Sequence, residues 1–416
     1  MSGADGAGSM GERGAPRRAA RRIGLFGLLG SGNLGNDASL EAVVAFLRAR
    51  FPDAELVAMC AGPERVSAAH GIPAVPLHSY DYAGPPRRLD PLRKLWAKLR
   101  DTVRTAVFVR RCDVVVVPGM GVLETTLPLR PWGWPWTLFV LAASGRLVGT
   151  TVALVGVGAN EIRAPLTRRL IVAAARLTTR RSFRDQLSKD ALARMGVDTS
   201  GDEVHPDLVF TLPEPADGAV VPRSVAVGVI DYHGGDDDRA HAEEIHAAYQ
   251  AAITAFVGSL LDEGRQVRLV TGDDVDRTVV ATVVAAVTRS RPGLARDRLL
   301  AEPVSSYAEL MSRLQPAEVV VASRYHNVIA ALKLGKPTVA LGYGAKNDVL
   351  MAAVGLGGFT QSLRALDLDR LQEQLRAAEA ERDRLVDEIT RATKEFRAQL
   401  DGTFDRLAAA LTGPAG

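Results

Sequence analysis

Three side chains that bind or titrate anionic groups stand close together in the second half of the chain: Arg324, His326 and Lys346. Arg324 and His326 directly follow Val319 to Ala322, a β-branched run typical of a strand buried on both faces. Lys346 follows a second apolar run, residues 338–341. Polar residues that follow two parallel strands lie at the edge where open α/β sheets bind ligands. Two cations and one imidazole at that edge predict a site for a small anion.

A helix is predicted between those two runs, because apolar residues recur at helical spacing from Val328 to Leu334 before Gly335 and Pro337 end it. Strand, helix and strand in this order form a β-α-β unit with parallel strands. The same alternation recurs in both halves of the chain. We therefore predict an α/β fold with two Rossmann-like domains and parallel sheets, at residues 22–212 and 213–360, followed by a helical segment at 361–416. We expect that segment to be one long docking helix.

Composition supports two domains, since 416 residues are too many for one typical core. The net charge of +3 gives no indication of nucleic-acid binding. Cys60 and Cys112 have neither disulfide nor metal-ligand spacing, and small core residues in a reducing cytoplasm are expected. Residues 1–21 predict a disordered basic tail. Residues 138–158 are largely apolar but interrupted by glycine, which favours a buried helix and strand over a membrane span.

The loop after the first strand contains Gly30, Gly32 and Gly35, a G-x-G-x-x-G spacing between a strand and a helix. The next strand ends at Cys60 with no acid to hold a ribose hydroxyl, so nicotinamide binding is not favoured. Free N–H groups at the helix start suit a phosphate or carboxylate. Asp37 is interpreted as a helix cap or a substrate contact.

Other strand ends in the first half carry candidate residues. Gly119 and Gly121 follow the predicted buried strand 113–117. Arg184 stands at a strand-to-helix junction, where it either clamps an anion or pairs with Asp185 at the helix start. The tryptophans between 132 and 136 are compatible with sugar stacking, a membrane interface or loop packing.

The stretch from Arg87 to Arg111 combines many cations with an apolar face of leucine, tryptophan, valine and phenylalanine. An ordinary solvated helix is the favoured interpretation. The alternative is a helix lying on anionic lipid head groups.

Four segments of the chain resemble the polysaccharide pyruvyl transferase family: G-N-L-G-N-D at 32–37, V-V-V-V-P-G-M-G at 114–121, R-S-F-R-D-Q-L-S at 181–188, and S-R-Y-H at 323–326 with Y-G-A-K at 343–346. The sequence departs from the family where Asn36 and Ala38 interrupt the N-x-G-D-E pattern and where Met120 interrupts a glycine triplet. The resemblance implies a glycosyltransferase-B-like arrangement, with both domains facing a central cleft.

The resemblance implies transfer of the enolpyruvyl unit of phosphoenolpyruvate to a saccharide diol, giving a pyruvate ketal and phosphate. Arg324 and Lys346 would hold the donor, and His326 would bind its phosphate or deliver a proton. Either Asp37 or Asp207 would take the hydroxyl proton. The further substrate contacts implied are Asn33, Gly35, Gly119, Gly121 and Arg184. Neither a metal nor a cofactor is implied.

The expected partners are phosphoenolpyruvate and a saccharide or lipid-linked saccharide of cell-surface polysaccharide, with no nucleic acid. The expected location is the cytoplasm, peripherally at the inner face of the membrane. Two other classes stay open: a nucleotide-sugar glycosyltransferase of the same shape, and a non-catalytic relative. The glycosyltransferase would need a ribose-binding acid in the late loop 342–347, which offers Lys346 and Asn347 instead.

Overall fold

Each half of the chain forms its own parallel β-sheet in this computed structural model, which describes residues 22–80, 90–124, 131–216 and 218–412. The predicted tail 1–21 and the cations Arg87 and Arg88 lie outside the described residues.

The first sheet has the strand order β3-β2-β1-β4-β5-β6-β7, with parallel neighbours throughout. Its strands are β1 (Arg22–Gly27), β2 (Glu55–Cys60), β3 (Ala74–Pro76), β4 (Val114–Pro118), β5 (Thr151–Val157), β6 (Arg180–Phe183) and β7 (Glu203–Val204). Its helices are α1 (Leu34–Arg50), α2 (Pro63–His70), α3 (Asp90–Arg110), α4 (Trp134–Val148), α5 (Pro165–Leu177) and α6 (Gln186–Arg194). A short 3-10 helix, Leu208–Thr211, ends this half.

The second sheet repeats the pattern in the order β10-β9-β8-β11-β12-β13, again parallel. Its strands are β8 (Ser224–Gly228), β9 (Gln266–Val270), β10 (Leu299–Leu300), β11 (Val319–Ala322), β12 (Thr338–Gly342) and β13 (Thr360–Ser362). Its helices are α7 (Ala242–Asp262), α8 (Arg277–Ser290), α9 (Tyr307–Leu314), α10 (Tyr325–Lys333) and α11 (Ala345–Ala353). The predicted β-α-β unit is therefore confirmed as β11, α10 and β12.

The carboxyl edges of the two sheets face each other, because the loop after β1 bonds to the loop after β9. The N–H of Leu34 donates to the carbonyl of Gly272 at 3.0 Å, and the N–H of Asp274 donates to the carbonyl of Gly32 at 3.2 Å. Loops from both halves thus meet where a doubly wound sheet binds its ligands.

The C-terminal segment differs from the single helix that the sequence predicted, since it forms α12 (Leu368–Ala380) and α13 (Arg382–Thr412). The two helices cover different surfaces. α12 packs on β11 and β12, whereas α13 packs on α10 and on the 3-10 helix that ends the first half. One straight helix cannot follow both surfaces, and the chain turns at Glu381.

The apolar segment 138–158 is part of the first core, as α4 followed by β5, which confirms the predicted buried helix and strand. In the described ranges, no helix is both long enough and apolar enough to cross a bilayer. Cys60 and Cys112 are buried free thiols, and burial raises their pKa to about 12 and about 11 respectively.

Candidate active site

A carboxylate of the first half bridges two cations, one from each half. Arg184 Nη2 lies 2.5 Å from Glu124 Oε1, and Lys346 Nζ lies 3.1 Å from Glu124 Oε2. Glu124 follows β4, Arg184 follows β6, and Lys346 lies in the first turn of α11. All three side chains are largely shielded from water, so each charge depends on its partners for stabilisation.

Pairing between two strand-end loops positions Glu124. The N–H of Leu123 donates to the carbonyl of Gly158 at 3.1 Å, and the N–H of Asn160 donates to the carbonyl of Leu123 at 3.2 Å. A Cβ on Gly158 would lie 2.2 Å from Glu124 Oε1 and 2.6 Å from Arg184 Nη2. The absence of a side chain at Gly158 therefore makes room for the ion pair.

A second carboxylate, Asp207, stands between Arg184 and His326. Arg184 Nη1 and His326 Nε2 lie 3.7 Å and 3.6 Å from the same oxygen, Asp207 Oδ2. Asp207 Oδ1 accepts from the N–H of Val209 at 3.0 Å, which fixes the carboxylate at the start of the 3-10 helix. The arrangement connects an imidazole of the second half to a carboxylate and a guanidinium of the first.

His326 is held by its neighbours on both sides. A Cβ on Gly35 would lie only 1.9 Å from His326 Nδ1, so the imidazole packs directly on the backbone of α1. Next to it, the guanidinium of Arg184 lies over the Tyr325 ring, 4.8 Å from its centre. A cation over an aromatic face is stabilised by the ring quadrupole.

Charge and burial act in opposite directions on these groups. Burial would raise the pKa of Glu124, but the charges of Lys346 and Arg184 outweigh it and lower the pKa to about 2. Burial would likewise raise the pKa of Asp207, yet the contacts with His326 and Arg184 lower it. Burial lowers the pKa of Lys346, but the charge and hydrogen bond of Glu124 together with the nearby Tyr343 oppose burial, and the net pKa is raised. The site therefore carries fixed charges of both signs at neutral pH.

A cavity of about 290 Å³ opens beside the ion pair and is lined by both halves. Glu124, Asn160 and Asp185 line it from the first half, and Tyr343 and Lys346 from the second. A small polyanion placed here competes with Glu124 for the Lys346 ammonium.

Arg324 was predicted to bind an anionic ligand, and in the structure its guanidinium contacts a carboxylate of the chain. Its Nε and Nη2 lie 3.0 Å and 2.5 Å from the two carboxylate oxygens of Asp276, which is fully buried. Burial would lower the pKa of Arg324, but Asp276 raises it. The pair ties the start of α10 to the start of α8, and Arg324 is directed at Asp276.

Asp37 also has a local partner. Its Oδ1 accepts from the N–H of Gly30 at 2.6 Å, and burial raises its pKa although this hydrogen bond opposes the change. Asn33 caps α1 through the N–H groups of Gly35 and Asn36, and its amide donates to Asp273 at 2.8 Å. These contacts hold the glycine-rich loop and join it to the second half.

The two glycines of the β4 loop approach different groups. The carbonyl of Gly119 accepts from the Ser39 hydroxyl at 3.0 Å. A Cβ on Gly121 would lie 2.9 Å from the Glu124 carboxylate, so Gly121 borders the ion pair.

Glu124 and Tyr325 were not selected from the sequence, although both stand beside residues that were. Glu124 follows the glycine-containing end of β4, and Tyr325 lies between Arg324 and His326. The strand-end rule that selected Gly121 applies equally to Glu124.

Within the described ranges, Asp231, His233 and His246 bring ligand-type atoms within 4.8 Å of one another. The two imidazoles are stacked, with centres 4.2 Å apart and planes 4° from parallel. An imidazole binds a metal through a nitrogen lone pair that lies in its ring plane, so two imidazoles stacked in parallel planes do not direct their lone pairs at one ion. One imidazole would have to rotate before this cluster could hold an ion.

Comparison with solved structures shows the fold. UDP-GlcNAc 2-epimerase from Methanocaldococcus jannaschii matches with a TM-score of 0.55 at 10% identity, covering 85% of this chain and 92% of its own. Anabaena Alr3699/HepE, solved with UDP and glucose, matches with a TM-score of 0.57 at 15% identity, covering 94% and 99%. These likenesses confirm the glycosyltransferase-B-like arrangement of two Rossmann-like domains.

The sequence profile of the polysaccharide pyruvyl transferases matches residues 33–344, three quarters of the chain. The matched range contains both carboxylates, Arg184 and His326, and it ends at Gly344, just before Lys346. No curated protein sequence matches. The chain therefore belongs to the polysaccharide pyruvyl transferase family, and it is a transferase.

Proposed function

We propose that the protein transfers the enolpyruvyl unit of phosphoenolpyruvate to two hydroxyl groups of a saccharide, forming a pyruvate ketal and releasing phosphate. The observation that carries this proposal is that two carboxylates, Glu124 and Asp207, bring Arg184, Lys346 and His326 together from both halves. Lys346 and Glu124 of this cluster line the cavity. A donor with a carboxylate and a phosphate needs at least two cations, and a reaction that moves protons needs a titratable group.

In this mechanism the donor's anionic groups bind at Lys346 and Arg184, where they displace one or both contacts of Glu124. Rigid cations on either side of the cleft orient the donor without a metal ion in the proposed steps. Because Lys346 and Arg184 come from different halves, the donor also draws the two halves together.

Proton transfer is assigned to His326 with Asp207. The methylene carbon of the donor gains a proton, and each of two sugar hydroxyls loses one as its oxygen bonds to the central carbon. The carbon–oxygen bond to phosphate breaks, and the second hydroxyl proton leaves with the phosphate. His326 delivers or accepts these protons, and Asp207 stabilises the imidazolium 3.6 Å away. In this proposal Asp37 stabilises the glycine-rich loop by accepting a hydrogen bond from the N–H of Gly30, and it takes no part in the reaction.

The proposed acceptor is a saccharide of a cell-surface polysaccharide, either free or lipid-linked. We propose that the protein works in the cytoplasm, peripherally at the inner face of the membrane, where lipid-linked saccharides are assembled. The basic and apolar stretch that includes α3 supports this location, since such helices bind anionic surfaces.

The direct test is phosphate release from phosphoenolpyruvate by the purified chain, with a panel of soluble and lipid-linked saccharides as acceptors. Release that requires both acceptor and His326 is expected. Thermal unfolding with phosphoenolpyruvate, compared with UDP-sugars, tests the donor independently: the melting temperature should rise with phosphoenolpyruvate. A rise with UDP-sugars alone, together with no acceptor-dependent phosphate release, would overturn the proposal in favour of a nucleotide-sugar enzyme.

A further inference from the structure

Helix α3 exposes large apolar side chains over its N-terminal two thirds and buries small and polar ones there. Trp96 is 72% exposed and Leu92 is 59% exposed, whereas the buried positions are Ala97, Asp101 and Thr105, with Val109 in the last turn. A surface helix normally turns its apolar face to the core. We call the exposed set Leu92, Leu95, Trp96, Leu99 and Val103 the outer stripe of α3.

The inward face of α3 is well fixed despite its polarity. The Asp101 carboxylate accepts from the N–H of Ser79 at 3.0 Å and from Arg104 at 3.2 Å. Thr105 contacts the sulfur of Met59 at 3.8 Å. These contacts fix the rotation of the helix, so the outer stripe stays directed outward.

We propose that the outer stripe of α3 inserts into the surface of an anionic lipid bilayer. Amphipathic helices lie parallel to the membrane, with their apolar face buried at the head-group boundary. The outer stripe has apolar side chains at successive turns of one face and is suited to that position. Cations border the stripe: Arg93, Lys94 and Arg100 are exposed, and the acid within residues 92–111, Asp101, is buried. This charge pattern complements anionic head groups.

A neighbouring tryptophan extends the surface. Trp132 is 59% exposed, and its ring centre lies 5.6 Å from that of Trp136. Trp136 Nε1 in turn donates to the Thr102 hydroxyl of α3 at 3.2 Å. Exposed tryptophans are typical of membrane–water interfaces.

The direction of α3 relates this surface to the active site. α3 connects β3 to β4, which run in the same direction within the sheet, so the helix runs back against them. Its N-terminal half, with Leu92, Leu95 and Trp96, therefore lies towards the carboxyl edge from which Glu124 projects. A bilayer bound to the outer stripe would present a lipid-linked saccharide beside the cleft. This proposal deepens the proposed function and rests on it only for the identity of the acceptor.

A second copy of the chain is a weaker candidate for the same surface. In a symmetric dimer the same patch contacts itself, so the cationic borders would face each other. Like charges in that position oppose association.

The test is flotation of the full chain, without donor or acceptor, with vesicles of phosphatidylcholine alone or mixed with phosphatidylglycerol. Binding to the mixed vesicles is expected, stronger at low salt and partly retained at high salt, because apolar insertion is not screened. The double variant Leu95→Ser/Trp96→Ser should lower the partition coefficient about tenfold or more at both salt concentrations. The double variant Arg93→Gln/Lys94→Gln should lower it at low salt only.

Leu147→Ser is the matched control, since Leu147 is a still more exposed apolar residue at the C-terminal end of α4, and it should bind as the unaltered chain does. Equal binding of the Leu95/Trp96 variant, or no binding of the unaltered chain to mixed vesicles, would overturn the proposal. A lipid-free dimer that this variant converts to a monomer would also overturn it, in favour of a second copy. Turnover of a soluble acceptor should be unchanged in the variant, so loss of vesicle binding and failure of the proposed reaction remain distinguishable.

Discussion

Arg184 and His326 come from different halves of the chain and approach the same oxygen of Asp207, at 3.7 Å and 3.6 Å. The carboxylate is buried, and neither distance is a full hydrogen bond. Because Arg184 belongs to the same half as Asp207, a small movement of one half against the other changes the His326 contact and leaves the Arg184 contact in place. The following predictions test this arrangement and the ion pairs around it.

His326→Ala should reduce kcat by about 10²–10⁴-fold, the usual contribution of a positioned acid or base. The side chain lies at the cleft, so the melting temperature should fall by only a few degrees. Steady-state phosphate release and thermal unfolding measure the two effects. His241→Ala alters an exposed histidine of the same half and should change neither. An active His326→Ala enzyme would remove His326 from the mechanism.

Lys346→Met should raise the KM for phosphoenolpyruvate more than it lowers kcat. Removing one member of a buried charge contact costs roughly 2–5 kcal/mol of binding. Initial rates at varied donor and fixed acceptor concentration provide the measurement, with circular dichroism to verify folding. Lys394→Met, at an exposed position on α13, is the control. A selective rise in the acceptor KM instead would assign Lys346 to the acceptor.

Gly35→Ala should displace the His326 imidazole, because the new Cβ would lie 1.9 Å from Nδ1. Activity should therefore fall about as far as in His326→Ala, roughly 10²-fold or more. Gly293→Ala introduces a methyl group into open space and should be neutral. A crystal structure of the Gly35 variant with an unmoved imidazole would contradict the explanation.

Acid should destabilise the fold through Glu124, whose pKa falls from 4.5 to about 2 on folding. A lowered carboxyl pKa contributes stability that is complete above the unfolded pKa and is lost as the pH falls towards the folded one. Between pH 7 and pH 3 the loss from this group is roughly 2 kcal/mol. Urea unfolding at both pH values should show a smaller acid-induced loss for Glu124→Gln than for the unaltered chain.

In that experiment Glu124→Gln starts from a lower stability at pH 7, because Lys346 loses its carboxylate partner. Glu373→Gln, at an exposed position on α12, should have the same acid dependence as the unaltered chain. Parallel acid dependence of Glu124→Gln and the unaltered chain would mean that the Glu124 pKa is not lowered.

The sequence predicted the strands well because their signal is local. Val319 to Ala322 and Thr338 onward are apolar runs of strand length bounded by glycine or polar residues, and each forms the parallel strand expected. The division of the helical segment predicted at 361–416 into two helices was missed, since both helices carry the same apolar spacing. What separates them is the surface each one covers, which periodicity does not encode.

The site residues show the same limit. Glu124 contacts Arg184 across 60 residues and Lys346 across 222, so its role depends on the fold. Binding of an anion by Arg324 stays a prediction. Its contact with Asp276, 48 residues earlier, depends on the fold and could not be read from the sequence. His326 was selected because a position directly after a strand lies at the ligand-binding edge of the sheet, and its role in the reaction stays a prediction.

The C-terminal helix makes the order of synthesis matter for the first half of the chain. The Phe404 ring stacks on Phe46 of α1 with centres 4.4 Å apart, and Arg406 lies 3.0 Å from Glu203 of β7. On the ribosome, domains fold as units with the N-terminal one first. The first domain must therefore wait, with Phe46 uncovered, until the C-terminal helix has been translated and has left the exit tunnel. Chaperones that bind nascent apolar surfaces would find it during that interval.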